Sequence, residues 1–109
     1  MAGRIERGEI RLCPFPPPDR ARPVLILTRS SAIAYLSRVT VAPITSSIRG
    51  VPSEVVLDED DGLKQRSAVN LHNVVTVAKE RIGRRASQLR EARMREVCRA
   101  LGFALGCDD

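Results

Sequence analysis

Arginine is the residue this sequence offers most freely for chemistry: sixteen of its eighteen bases are Arg, and Lys64 and Lys79 are the others. A guanidinium stays charged and presents a planar fork of donors that fits phosphate or carboxylate oxygens two at a time. Such a chain suits an anionic partner, whether RNA, DNA or an acidic peptide. Other reactive types are sparse. Cys13, Cys98 and Cys107 form an odd set with no C-x-x-C spacing, and His72 is the one histidine. A zinc site takes about four such ligands in a recognisable pattern, so no metal and no cofactor is expected. A Cys–His nucleophilic pair is compatible with the composition. Cys98, however, falls on the apolar stripe of a helix and is expected to pack, and His72 is expected half-exposed in a strand or loop. Aromatics make up only 3%, namely Phe15, Tyr35 and Phe103, so a nucleic-acid site must rely on charge and hydrogen bonds more than on stacking platforms.

The 109 residues, 43% hydrophobic and 28% charged with a net charge of +5, have the size and composition of one globular domain. Charge is distributed unevenly. Lys79–Arg99 holds eight bases against Glu80, Glu91 and Glu96, and Arg4–Arg49 holds eight Arg against Glu6, Glu9 and Asp19. Between them, Gly50–Ala78 is acidic through Glu54, Asp58, Glu59, Asp60 and Asp61. No apolar run approaches the roughly 20 residues that span a bilayer, and Met1–Glu9 is polar, without a signal-peptide core. A cytoplasmic protein with no membrane partner is expected.

The elements that must position the arginines are short strands followed by one helix. Glu9-Ile10-Arg11-Leu12 alternates with period 2, and Pro14, Pro16, Pro17 and Pro18 end it because proline cannot donate to a ladder. The connection Pro14–Ala21 is expected to be a rigid, exposed loop. Pro23-Val24-Leu25-Ile26-Leu27 is a continuous apolar run, the mark of a strand buried on both faces, and Arg22 enters it from the rim. Arg38–Ile44 alternates again, and Thr45-Ser46-Ser47 before Gly50 and Pro52 reads as the start of a loop. Glu54–Leu57, Ala68–Leu71 and Val74–Val77 supply further strand material. Four or five such strands suggest a small barrel or sandwich-like sheet. The period then changes: Leu89, Met94, Val97, Cys98, Leu101, Ala104 and Leu105 follow helical spacing, with Gly106 as C-cap.

Taken in order, Arg7-Gly8-Glu9-Ile10, Arg22-Pro23-Val24-Leu25-Ile26-Leu27, Ala42-Pro43-Ile44-Thr45-Ser46, Thr76–Ile82 and the ending Ala100-Leu101-Gly102-Phe103-Ala104-Leu105-Gly106 closely resemble the MazF/PemK family of toxin endoribonucleases of bacterial type II toxin–antitoxin systems. The resemblance runs from about Arg7 to Gly106 and makes residues 1–109 a single toxin domain. It implies a mainly β fold with a C-terminal helix: an SH3-like small barrel of about five strands, CcdB/PemK-like. It also implies a homodimer, metal-independent cleavage of single-stranded RNA, commonly mRNA, and a cognate antitoxin whose acidic tail covers the RNA site. The family's principal catalytic residues, the Arg of Arg-Pro and the Thr of Pro-Ile-Thr, fall on Arg22 and Thr45.

That chemistry suits the residue inventory, because RNA carries its own nucleophile in the 2′-OH beside the scissile phosphate. Alignment and charge stabilisation are then enough to cleave it, leaving a 2′,3′-cyclic phosphate and a 5′-OH. Arg11, Arg20, Arg29, Ser46, Ser47 and Lys79 are the expected RNA contacts. The sequence departs from the family where Arg11 occupies a position that often holds an aromatic, and where the first connection, Cys13–Ala21, is short and stiffened by Pro16-Pro17-Pro18. The recognition sequence is therefore expected to differ, and structured tRNA or rRNA loops join mRNA as substrates. Two alternatives belong to other classes: a CcdB-like toxin that binds DNA gyrase without cutting nucleic acid, and an inactive RNA-binding module.

Overall fold

The computed structural model describes residues 4–15 and 20–107. Pro16, Pro17 and Pro18 lie outside the described residues, so the expectation of a rigid proline loop is left there. Among the described residues, seven short strands and two α-helices follow in the order β1 (Glu9–Cys13), β2 (Arg22–Ile26), α1 (Ser30–Ile33), β3 (Arg38–Thr45), β4 (Glu54–Leu57), β5 (Ser67–Asn70), β6 (Val75–Ala78), β7 (Arg85–Gln88) and α2 (Glu91–Leu105). All pairings are antiparallel, in the order β4-β5-β3-β2-β1-β7, with β6 also paired to β3.

The eight-residue β3 organises the sheet. One edge pairs with β2 from Val41 to Pro43; the other pairs first with β6, from Arg38 to Val41, and then with β5 at Ile44 and Thr45. Because β5 and β6 succeed one another along a single edge, the sheet curls into a half-barrel and buries apolar side chains on both faces. In β2, Leu25 joins Ile10, Ala42, Ile44, Leu57 and Val97 in one core, whereas Val24 and Ile26 join Cys13, Val39, Val41 and Val77 in the other. The continuous apolar run of β2 is therefore covered on both sides, as its composition requires. The mainly β architecture with a C-terminal helix agrees with the sequence reading, with seven short strands in place of about five.

Helix α2 seats Val97 and Ala100 on the first core, flanked by Met94, Leu101 and Ala104. It ends in a Schellman arrangement: Gly106, at φ 76°, donates to the Phe103 carbonyl at 3.1 Å, and Cys107 donates to the Gly102 carbonyl at 2.7 Å. Cys98 departs from expectation. It lies on the exposed side of α2, where the Arg7 guanidinium donates to its Sγ at 3.0 Å. The helix is also clasped to the acidic turn after β4. Arg93 Nε donates to Asp61 Oδ1 at 3.0 Å, while Asp61 Oδ2 accepts the Asp58 amide at 3.1 Å. Asp58 and Asp61 thereby form a capping box on the 3-10 turn Glu59–Asp61.

Candidate active site

Strand register brings the two expected catalytic residues together. In the β2–β3 ladder Val24 faces Pro43, Leu25 faces Ala42 and Ile26 faces Val41. Carrying that register two residues further, to the start of β2 and the end of β3, sets Arg22 opposite Thr45. Directly opposed residues of an antiparallel pair share a face of the sheet. On β1 the partner of Arg22 is Cys13, and on β5 the partner of Thr45 is Ala68. Cys13, Arg22, Thr45 and Ala68 therefore form a row across four strands. Its two outer members are buried; between them Arg22 is exposed and Thr45 half-buried, at the mouth of the barrel.

The backbone leaves β3 at Thr45, and its side chain fixes the exit: Thr45 Oγ1 accepts the Ser47 amide at 3.1 Å. A hydroxyl has one proton to donate and two lone pairs, so this turn occupies a lone pair and leaves the O–H to point elsewhere. Ser46 and Ser47 follow, both exposed. The loop is held further on by Glu54, whose Oε1 accepts the amides of Arg49 at 3.0 Å and Gly50 at 2.9 Å. At the other side of the mouth Arg20 is exposed, and Arg81 donates to the Pro14 carbonyl at 2.6 Å. Burial raises the Cys13 thiol above its ordinary value, an effect that the nearby Arg81 charge only partly offsets. Cys13 is thus a packed, protonated floor to the row and not a nucleophile.

The remaining expected contacts divide by position. Arg20, Ser46 and Ser47 stand with Arg22 and Thr45. Arg29 and Lys79 do not: Arg29 caps α1 beyond the far end of β2, and Lys79 follows β6 beside the start of β3, its Nζ donating to the Ile33 carbonyl at 2.9 Å. Each lies about seven residues of extended chain from the mouth, on the order of 20 Å. Arg11 is a clear correction. It is 3% exposed, its Nε donates to Glu9 Oε1 at 3.0 Å, and its remaining donors meet the carbonyls of Gly83 at 3.0 Å and Arg4 at 2.7 Å. It is an internal ion pair that cannot also reach a phosphate. His72 is exposed in the β5–β6 turn, with Nδ1 hydrogen-bonded to Ser53 Oγ, so the Cys–His pairing left open by composition does not form with Cys13.

Sequence reading missed Arg66. It precedes β5 by one residue and is exposed, one step past the terminal Leu57–Ser67 pair and hence opposite Asp58. Its signal was hidden inside an acidic stretch, where net charge cancels it.

Residues 6–105 match the family model described as "PemK-like, MazF-like toxin of type II toxin-antitoxin system". Over 108 residues the chain is 44% identical to "Probable endoribonuclease MazF5" of Mycobacterium tuberculosis, covering 98% of each. The structure of "Mycobacterium tuberculosis toxin MazF-mt6" superposes with a TM-score of 0.84 at 38% identity, over 93% of this chain and 99% of that one. "Endoribonuclease in complex with its cognate antitoxin from Mycobacterial species" superposes at 0.83 with 26% identity, over 94% and 95%. A match of that extent, on a chain with this curled sheet and this row of residues, identifies the protein as a member of the PemK-like, MazF-like toxins of type II toxin–antitoxin systems.

Proposed function

We propose that this single-domain toxin is a sequence-selective, metal-independent endoribonuclease that cleaves single-stranded RNA and so halts translation and growth. What supports the reading is the β2–β3 register, which runs from Ile26–Val41 to Val24–Pro43 and, continued two residues to the strand ends, leads to Arg22 and Thr45. The 2′-OH gives up its proton to solvent as its oxygen attacks the adjacent phosphorus, and the pentacoordinate transition state gathers negative charge on its equatorial oxygens. The Arg22 guanidinium engages two of these at once, and the Thr45 hydroxyl, its acceptor side already held by Ser47, donates to the same charge. Arg22 also passes a proton to the departing 5′-oxygen and regains one from solvent, so that it ends the step charged. Products are a 2′,3′-cyclic phosphate and a 5′-OH, and no step draws on a metal or other cofactor. Arg20, Ser46 and Ser47 hold the flanking backbone.

The partners follow the same chemistry. Substrates are mRNA and exposed loops of tRNA or rRNA, and an antitoxin with an acidic tail competes for the arginines at the mouth. Phe103 and Leu105, 47% and 64% exposed on α2, support a homodimer that covers them. No helix of the described residues is long and apolar enough to cross a membrane, in keeping with action in the cytoplasm. The test is incubation with a long single-stranded RNA in EDTA, with new 5′ ends mapped by sequencing and Arg22→Ala run in parallel. Discrete cuts bearing 5′-OH ends and absent from the variant are expected. Cuts that persist in the variant, or that appear only when divalent metal is supplied, overturn the mechanism.

A further inference from the structure

Beyond the Arg22–Thr45 row the sheet ends in a second row. Arg66 stands there one step past the Leu57–Ser67 pair, opposite Asp58, and two residues along the chain from Ala68, the partner of Thr45. Arg66 and the carboxylates of Asp58, Glu59 and Asp60 line one open cleft of about 300 Å³. Despite this company, Arg66 makes no hydrogen bond or ion pair among the described residues. Asp58 is occupied: its Oδ1 accepts the Asp60 amide at 3.0 Å within the turn. The cleft therefore presents one unused five-donor fork beside the acceptor oxygens of Glu59 and Asp60, in the row next to the proposed reaction site.

The charge balance decides what enters. Three carboxylates against one guanidinium leave the cleft negative, which repels a phosphate. A neutral group fits where it carries acceptors for Arg66 together with donors for the carboxylates. A guanine base meets both demands, with O6 and N7 as a bidentate acceptor pair for an arginine and N1–H and N2–H₂ as donors. Uracil lacks an amino donor. Single-stranded RNA can present these edges because its bases are free to splay outward.

Resting on the ribonuclease reading above, we propose that the Arg66 cleft is a base-specificity pocket that selects guanine at one fixed position beside the cleavage site. Phosphate is held by Arg20, Arg22 and the loop serines, and the base by Arg66 with the Glu59 and Asp60 carboxylates. Arg66 is thus a specificity residue, apart from the groups that stabilise the transition state.

Two measurements test it. In the first, cleavage maps are compared for the wild-type protein, Arg66→Ala, and the pair Glu59→Gln with Asp60→Asn, all checked for an unchanged circular dichroism spectrum. The wild-type map is expected to show guanine enriched at one offset, and Arg66→Ala is expected to reduce that preference roughly tenfold to hundredfold while cutting continues elsewhere. No guanine preference in the wild type, or a preference unchanged in Arg66→Ala, overturns the proposal. In the second, binding of a short guanine-containing RNA is read by fluorescence anisotropy on the Arg22→Ala protein, against the same RNA carrying inosine or 7-deazaguanine. Loss of affinity with both analogues is expected, with 7-deazaguanine having no further effect once Arg66 is Ala; equal affinity for all three RNAs overturns the pocket. Because binding needs no cleavage, a guanine preference without cuts would sink the proposed reaction and leave the pocket standing. Cuts without a preference would do the reverse.

Discussion

Replacing Arg93 with Met tests the clasp that fixes α2 to the acidic turn. Asp61 is almost wholly buried, its side chain 1% exposed against 19% for Arg93. Losing the guanidinium leaves its carboxylate with the Asp58 amide as the remaining partner described above. Breaking a buried pair from one side costs about 3–5 kcal/mol. Water reaching the partly exposed Arg93 site lowers this to about 2–3 kcal/mol, and Glu96, also paired to Arg93 but 39% exposed, adds little. Combining Arg93→Met with Asp61→Asn removes the orphaned charge and should recover about 1 kcal/mol or more. The assay is urea unfolding at fixed protomer concentration, repeated from pH 7 down to pH 2.5. Burial pushes the Asp61 carboxyl up, but the Arg93 hydrogen bond, the Asp58 amide and the charges of Arg93 and Arg90 together hold it below its ordinary value. A carboxyl depressed in the folded state stabilises above its unfolded value of about 3.9 and loses that contribution as pH falls through the folded value. The gap between wild type and Arg93→Met should therefore be full at pH 7 and close below about pH 4. A gap that persists unchanged into acid, or one below about 0.5 kcal/mol at pH 7, refutes the account.

Three other outcomes are expected. Thr45→Val should lower kcat by roughly a hundredfold or more while Thr45→Ser retains most activity, since only the hydroxyl donates to the developing charge; equal rates for Val and Ser would remove Thr45 from the reaction. Arg11→Ala should destabilise the protein by about 2–4 kcal/mol, because the buried Glu9 keeps only the Glu6 amide and the longer Arg85 contact at 3.7 Å among the described residues. The slope of RNA affinity against salt should be untouched in any Arg11→Ala that remains folded, whereas a shallower slope would put Arg11 back at the RNA. With a thiol reagent, Cys98 and Cys107 should react promptly and Cys13 only on unfolding, because Cys13 is buried and its thiol is raised; three fast thiols in the native protein would contradict this packing.

What the sequence made legible was the set of segments whose own pattern decides their state. β2 and β3 are recognisable from apolar runs and alternation, and α2 from its helical stripe with glycine beyond it. β7 was not legible, because Arg85-Ala86-Ser87-Gln88 has no apolar alternation and becomes a strand only by hydrogen-bonding to β1. Arg11 shows the limit of alternation: Glu9 and Arg11 read as the solvent side of β1, yet both are buried, because they neutralise each other while Glu9 accepts the Glu6 amide and Arg11 donates to the Gly83 and Arg4 carbonyls. Cys98 sat on the helical stripe by spacing, but the core takes Val97 and Ala100 and turns Cys98 outward. Arg22 and Thr45 were identified by motif; that they lie at adjoining ends of β2 and β3 is a property of the β2–β3 register, which no local window contains.

The double pairing of β3 also bears on motion. Amides in a strand bonded along both edges exchange with solvent only when much of the sheet opens, so those around Val39–Ala42 should be among the slowest in the molecule. Thr45 is the last residue of that strand. Its side chain is anchored to the doubly paired stave, and the next peptides belong to a segment tied back by the Thr45–Ser47 and Glu54 hydrogen bonds instead of by a ladder. At that boundary two kinds of order meet: the strand's amides should exchange only with the sheet, whereas those of Ser47, Arg49 and Gly50, held by side-chain acceptors, should exchange by local opening of single bonds.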